Sequence, residues 1–167
     1  METGFRQHGG VSELRWDDVR VWFDLELNGT LPDVHVPDTT AEDWRALIAL
    51  VRSEAWQWAY LVDGEPRELP SVEDMLNRRD DADIALRVWP APGLLAIFRP
   101  YEVEQIDFDV DLRELQGQLR WEVLCRFFVT IGRALGKPVL MTPEGFGNEP
   151  VLGYDVAVDQ VVLLADE

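Results

Sequence analysis

The chain has 167 residues, of which 47% are hydrophobic, so it can form one domain with a sizeable core. It carries 15 basic and 32 acidic residues, a formal net charge of −17 at pH 7. This charge argues against binding to DNA, RNA or an anionic membrane surface, because each of these needs a basic patch on the protein. It suits a cationic protein partner, or it serves solubility alone.

The single cysteine, Cys125, cannot form an internal disulfide bond, which indicates a reducing compartment. No uncharged apolar window of about 18 residues predicts a transmembrane span, and the N-terminus lacks the apolar core of a signal peptide. We therefore expect a soluble, cytoplasmic protein. Residues 1–10 are polar and glycine-rich and predict a flexible arm, followed by a single α+β domain over residues 11–167.

The first predicted strand covers residues 19–27, where apolar and polar side chains alternate. Asn28-Gly29 follows and is typical of a hairpin turn, since both central positions of a type I′ turn need positive φ. The return strand is predicted over residues 30–36. Pro32 cannot donate a ladder hydrogen bond, so this strand is expected at an edge of the sheet.

Two short helices are predicted next, each with its own N-terminal cap. Thr39 with Glu42 forms a capping-box pattern, and Ser71 with Asp74 caps a second helix that reaches about Arg78. The first helix places the following apolar side chains on one face: Trp44, Leu47, Ile48, Val51 and Ala55.

Four further strands surround these helices. Residues 56–62 alternate, and Asp63-Gly64 predicts a hairpin that returns through residues 67–69. Residues 84–89 and 94–98 also alternate, and the prolines and glycine of residues 90–93 predict the turn between them.

The central stretch runs from Val103 to Pro138. Apolar residues at 106, 108, 110 and 112 alternate with aspartates, which predicts a half-buried strand that leads directly into one long buried helix over about residues 112–135. Gly136 and Pro138 end this helix. Short strands are predicted at 139–141, 151–154 and 160–164. Strands outnumber helices and long crossover helices are mostly missing, so we predict an α+β fold with a largely antiparallel sheet.

The carboxylates between residues 102 and 114 allow three interpretations. Asp107, Asp109, Asp111 and Glu114 could hold a divalent metal and support a metal-dependent hydrolase. They could instead be the solvated face of an amphipathic strand, with Asp111 capping the helix, which we favour over a metal site. The third interpretation is an acidic docking surface formed by Glu102, Glu104, Asp107 and Asp109. Neighbouring like charges are unfavourable without a counter-charge, which a cationic partner would supply.

Seven tryptophans are many for this length. Trp44, Trp56, Trp58 and Trp121 fall on predicted core faces. Trp22 and Trp89 fall opposite the aliphatic residues of their predicted strands, so they anchor a partner if that sheet face is open and belong to the core if it is covered. Cys125 lies among apolar neighbours and is interpreted as a core residue. Glu144, in a turn, is interpreted as a turn carboxylate rather than a general base.

The chain resembles in type the small acidic immunity proteins encoded beside secreted bacterial toxins. The segments that carry this resemblance are residues 106–112 and 151–155, in a single α+β domain with many aromatics and no cofactor motif. The resemblance implies a protein that covers a toxin's active site through acidic and aromatic contacts.

Our hypothesis from the sequence is therefore a non-enzymatic binding protein that needs no cofactor and neutralises a cationic partner, most readily a toxin domain. The alternatives are the metal-dependent hydrolase and a structural or regulatory domain whose acidity only aids solvation. A homo-oligomer stays open as well.

Overall fold

A single antiparallel sheet organises the computed structural model, which describes residues 11–144 and 149–165. The predicted arm at residues 1–10 lies outside these ranges. Nine strands follow one another in the spatial order β3-β2-β4-β5-β6-β1-β7-β8-β9. Their bounds are β1 Asp33–Pro37, β2 Gln57–Val62, β3 Glu65–Arg67, β4 Ile84–Ala91, β5 Leu94–Arg99, β6 Gln105–Asp109, β7 Val139–Thr142, β8 Leu152–Asp155 and β9 Gln160–Leu163. The predicted α+β class with an antiparallel sheet is confirmed.

Five α-helices accompany the sheet in the described ranges: α1 Trp16–Val19, α2 Leu25–Asn28, α3 Ala41–Arg52, α4 Val72–Asn77 and α5 Gln118–Leu135. Two short 3₁₀ helices add to them, at Arg20–Phe23 and at Leu112–Glu114. The long helix and the two shorter ones that the sequence predicts correspond to α5, α3 and α4. The helices before β1 were not predicted.

The strand and hairpin predicted over residues 19–29 are wrong, because this segment is helical. Its buried apolar residues, Val19 and Phe23, are four positions apart, a spacing that fits one face of a helix as well as one face of a strand. Asp24 caps α2 by accepting hydrogen bonds from the amides of Glu26 and Leu27. Gly29, at φ 74°, therefore follows a helix and not a strand.

The expectation that the strand after Pro32 lies at the sheet edge is also wrong. β1 lies in the interior of the sheet, where Val34 pairs with Phe108 of β6 on one side and with Met141 of β7 on the other. Pro32 precedes the first paired residue, Asp33, so its missing N–H removes no ladder bond.

The caps of the two shorter helices follow the predicted chemistry, with a shift of one residue in α3. Thr40 is its N-cap, and the Thr40 amide donates to Asp43 Oδ2 at 2.9 Å. Thr39 is buried, and its hydroxyl donates to the carbonyl of Val103 at 2.7 Å. The Ser71 cap of α4 is confirmed, since Ser71 Oγ accepts from the Asp74 amide.

The long helix does not continue directly from the strand as predicted. Asp111 caps the 3₁₀ turn Leu112–Glu114, and the backbone then breaks at Gly117, whose φ of 101° suits only glycine. The α-helix begins at Gln118 and ends at Gly136, which adopts the predicted left-handed conformation with φ 67°. Trp121, Leu124 and Phe128 on this helix are buried as predicted.

The core lies between α5 and one face of the sheet. Phe127 of α5 contacts Phe98 of β5 and Phe108 of β6 edge-on, with ring centroids 6.3 and 5.5 Å apart. Trp44 and Trp121 are each 1% exposed, which confirms them as core residues. The buried side chains of the sheet strands belong to one cluster on this face, with Leu61 outside it. Alternate side chains of each strand must therefore point to the opposite face.

Candidate protein-binding face

The second face of the sheet carries a polar centre, which we call the acidic face and define by Asp33 and His35 of β1 and Asp107 and Asp109 of β6. Asp33 lies opposite Asp109, and His35 lies opposite Asp107. None of these four residues belongs to the hydrophobic core. Their strand neighbours Val34, Val36, Ile106 and Phe108 do belong to it, so the period of two separates the two faces cleanly.

Asp33 and Asp109 form a like-charged pair across two strands, an arrangement that is unfavourable in a sheet. The pKa of Asp109 is raised above its ordinary value, mainly because burial penalises the charged carboxylate. The negative charge of Asp33 and its hydrogen bond to Asp109 raise this pKa further, and Asp107 adds a smaller repulsion. The acidic face thus holds one carboxyl group whose ionised form lacks adequate compensation.

Arg99 of β5 gives this group incomplete neutralisation. Its Nε lies 3.8 Å from Asp109 Oδ2, while its Nη1 lies 3.4 Å from Asp83 Oδ1, so one guanidinium serves two carboxylates. Arg99 lowers the pKa of Asp109, but burial and Asp33 outweigh it. Asp107 accepts a hydrogen bond from Gln105 Nε2 at 2.8 Å, which adds no charge. Asp109 therefore shares its one cation with Asp83.

Apolar and aromatic side chains flank the acidic face. Ile97 lies opposite Asp109 on β5, and Leu140 lies opposite His35 on β7. Both are half-buried and lie outside the hydrophobic core. Trp89 of β4 is also half-buried and lies opposite Gln57 on β2, on the same face as Arg87, which adds a cation away from the acidic centre.

The two aromatic anchors proposed from the sequence do not share this face. Trp89 lies on the open face, as one of the two interpretations requires. Trp22 lies in the first 3₁₀ helix and packs against the hydrophobic core. The alternation of Trp22 with aliphatic neighbours predicts a strand, but the backbone is helical, so Trp22 does not lie on a sheet face.

The acidic residues proposed before β6 lie at the end of this face. Glu102 and Glu104 are exposed in the loop between β5 and β6. The loop backbone is fixed, because the carbonyl of Glu104 accepts from the Thr39 amide at 3.0 Å and the carbonyl of Val103 accepts from the Trp44 indole at 3.1 Å. Glu102 and Glu104 therefore add negative charge at the end of the acidic face, on a loop whose backbone is anchored by these hydrogen bonds.

The four carboxylates considered for a metal site do not converge. Asp111 binds the Arg113 side chain at 2.7 Å, and Glu114 Oε1 accepts from the Leu95 amide at 2.9 Å. Within residues 11–144 and 149–165, no group of three or more His, Cys, Asp or Glu side chains could hold a metal ion. The hydrolase interpretation thus loses the geometry that motivated it.

Two other predicted roles match the contacts. Glu144 Oε1 accepts from the amides of Thr30 and Leu31 at 2.9 and 3.0 Å, so it acts as a turn carboxylate, and these bonds lower its pKa. Cys125 is 1% exposed, and burial raises the pKa of its thiol far above the ordinary range. A buried thiol in that state is a packing residue.

Sequence reasoning missed Asp33 and His35 as members of the face. The alternation of these two residues with Val34 and Val36 is visible in the sequence, but the position of β1 beside β6 is not. Asp33 and its partner Asp109 are 76 positions apart in the chain, although they are neighbours in the sheet. A pairing partner chosen by tertiary packing leaves no local signal.

Comparisons of the chain with protein-family models, with curated proteins and with solved structures found no match. Among the helices that the structure describes, none is both long and apolar enough to cross a membrane.

Proposed function

We propose that this chain is a non-enzymatic binding protein that neutralises a cationic protein, as the immunity protein of a secreted bacterial toxin in the bacterial cytoplasm. The observation that supports it most is the group Asp33, Asp107 and Asp109 on a sheet face outside the core, with Asp109 held at a raised pKa. A face of this kind gains from a positive side chain brought by another macromolecule.

The carboxylate of Asp109 is only partly neutralised by Arg99. A guanidinium or ammonium group of a partner would stabilise its ionised form and would also relieve the repulsion from Asp33. The net charge of −17 would attract such a partner over a long range, accelerate encounter and make association sensitive to salt.

The surroundings of the acidic face suit a protein partner better than a small ion. Ile97, Leu140 and Trp89 supply half-buried apolar area beside the charges. Protein interfaces combine apolar area with polar and charged groups, and tryptophan is enriched among the residues that dominate their binding energy. The exposed Glu102 and Glu104 would supply further charged groups.

The first test uses the product of the gene next to the one that encodes this chain, with association measured by surface plasmon resonance at low and high salt. Substituting Asp33, Asp107 and Asp109 together by Asn removes the charge of the acidic face. We expect the on-rate to fall about tenfold at low salt and its salt dependence to weaken, because steering scales with the opposing charge.

A matched control changes the same net charge elsewhere. Asp17, Asp80 and Asp81 are exposed and lie outside the strands, so their triple Asn variant should lower the on-rate much less. Equal on-rates for the two triple variants would show that only net charge matters and would remove the acidic face from the proposal. Absence of any association would refute the proposed partner.

A further inference from the structure

A pocket rich in tryptophan lies where β2 begins and β4 ends, beside the acidic face. It is open to solvent and has a volume of about 500 Å³. We call it the tryptophan pocket, and its lining consists of Glu54, Ala55, Trp56, Gln57, Trp58 and Trp89. Three of the seven tryptophans of the chain thus line one pocket together with one acidic residue.

Two of the three tryptophans of the pocket, Trp56 and Trp58, pack against the hydrophobic core. The ring centroid of Trp56 lies 4.9 Å from that of Phe127, at an interplanar angle of 71°, and Phe127 is 2% exposed. Trp56 and Trp58 both pack against the core while staying half-buried. Trp89 approaches from the other face of the sheet, next to Gln57. The Trp56 and Trp58 side chains are therefore preorganised, which lowers the entropy that a ligand must offset.

Glu54 is the acidic group of the pocket. It follows α3 with a positive φ of 64°, and its amide donates to the carbonyl of Val51 at 3.1 Å. Within the described ranges its carboxylate makes no hydrogen bond or ion pair. The nearby Arg52 is committed elsewhere, since its Nη2 donates to the carbonyls of Leu69 and Pro70 at 2.9 Å. The carboxylate is thus free to meet a cation.

A positive charge lies at the end of the tryptophan pocket that faces away from Glu54. A second hollow of about 510 Å³ shares Trp56 and Trp89 and extends to Gly93 in the β4–β5 turn. A Cβ placed on Gly93 would lie 3.2 Å from Arg120 Nη2, so a guanidinium lies beneath that end. A bound cation would therefore be directed towards Glu54 and away from Arg120.

We propose that the tryptophan pocket binds the guanidinium of an arginine side chain carried by the cationic partner. This inference rests on the proposed function and names the residue that the partner must present. Arginine fits better than lysine, because its planar group stacks on indole, pairs with a carboxylate through two N–H donors and is more weakly hydrated. Trp89 and Asp109 lie on strands separated by two spacings, roughly 10 Å, so one partner reaches both.

The test titrates the full chain with N-acetyl-arginine amide and follows the indole N–H signals by NMR, each assigned from a Trp→Phe variant. We expect saturable shifts at Trp56, Trp58 and Trp89 and none at the buried Trp44 and Trp121. Glu54→Gln should weaken the affinity by about fivefold, whereas Glu26→Gln, an exposed substitution on α2 outside the pocket, should leave it unchanged.

Three results would overturn the assignment: no shift at the pocket indoles, equal binding of N-acetyl-glutamine amide or of a triproline peptide, or an affinity that Glu54→Gln does not change. Glu54 is exposed, so its substitution by Gln should not affect folding. An unchanged or lost affinity in this variant is therefore not a folding artefact.

The pocket and the proposed function can fail separately. If the partner's affinity falls in the Asp33, Asp107, Asp109 variant but not in Glu54→Gln or Trp89→Phe, the binding function stands and the arginine pocket is wrong. If the arginine probe binds as expected and no cationic protein associates, the pocket stands and the proposed function is wrong.

Discussion

The two faces of β6 carry side chains of opposite character. Ile106 and Phe108 are 0% and 1% exposed and join the core, whereas Asp107 and Asp109 between and after them stay half-buried on the opposite face. Two residues of this strand therefore stabilise the fold on one face, and two others carry repelling charges on the opposite face. Stability and binding potential can be separated by substituting alternate positions of one strand.

The largest effect is expected from Phe108→Ala on the core face. The Phe108 ring lies 4.5 Å from the ring of Phe98 and 5.5 Å from that of Phe127, so its removal leaves a cavity among rigid aromatic neighbours. We expect the free energy of unfolding to fall by about 3–5 kcal/mol, measured by urea denaturation. A loss below about 1 kcal/mol would contradict the packing of this face.

A smaller effect of opposite sign is expected from Asp109→Asn, one residue further along. The raised pKa of Asp109 means that its ionised form is disfavoured in the folded state, chiefly by burial and then by Asp33. Folding stability of the native chain should thus decrease as pH rises from about 4 through the raised pKa. The Asn variant should escape this decrease and be the more stable at neutral pH.

Nearly half of the Asp109 side chain is exposed, so solvent screening should keep this gain below about 1 kcal/mol. Denaturation at pH 3 and pH 7 provides the measurement and its control, because the two chains should be nearly equal at pH 3. A variant less stable than the native chain at pH 7 would mean that Arg99 compensates Asp109 fully.

The smallest effect is expected at Asp159, whose pKa is lowered and not raised as that of Asp109 is. Arg133 donates to it through Nε and Nη2 at 2.8 and 2.9 Å, and the Tyr154 hydroxyl donates as well. These bonds lower the pKa of Asp159 to about 2. The ionised Asp159 carboxylate therefore stabilises the fold at pH values above its ordinary pKa of about 4. This contribution is lost as the pH falls towards about 2.

Asp159→Asn should flatten the stability profile between about pH 4 and pH 2, with a small loss at neutral pH, because the group is exposed. Thermal melting across this range provides the measurement. Asp17→Asn serves as control, since Asp17 meets Arg20 only at 3.7 Å and is 86% exposed. An identical flattening in both variants would contradict the role of the Arg133–Asp159–Tyr154 contacts.

Much of the fold follows from local pattern. Alternation identified β4, β5, β6 and the last three strands, and Asp63-Gly64 marked a hairpin whose two turn residues have φ of 52° and 81°. The Ser71 cap and the Gly136 stop also followed from residue type. Residues 19–27 failed because Val19 and Phe23, four positions apart, satisfy the periods of a strand and of a helix alike.

The candidate site was predictable only in part. Asp107, Asp109 and Trp89 were identified because they alternate with apolar neighbours on strands that do form. Trp22 was misplaced with its whole segment, and Glu54 and Asp33 were missed because each acquires its importance from a neighbour distant in sequence.

The amino-acid sequence by itself determined the excess of negative charge, the periodicity of most strands, and the helix that ends at Gly136, because these depend on composition and on short-range sterics. Only the tertiary structure decided that β1 is inserted between β6 and β7, which places Asp33 against Asp109. It also decided that Trp89, Trp56 and Glu54 line one pocket. Strand order depends on how whole elements bury their apolar faces together, and that cooperative choice has no local signature.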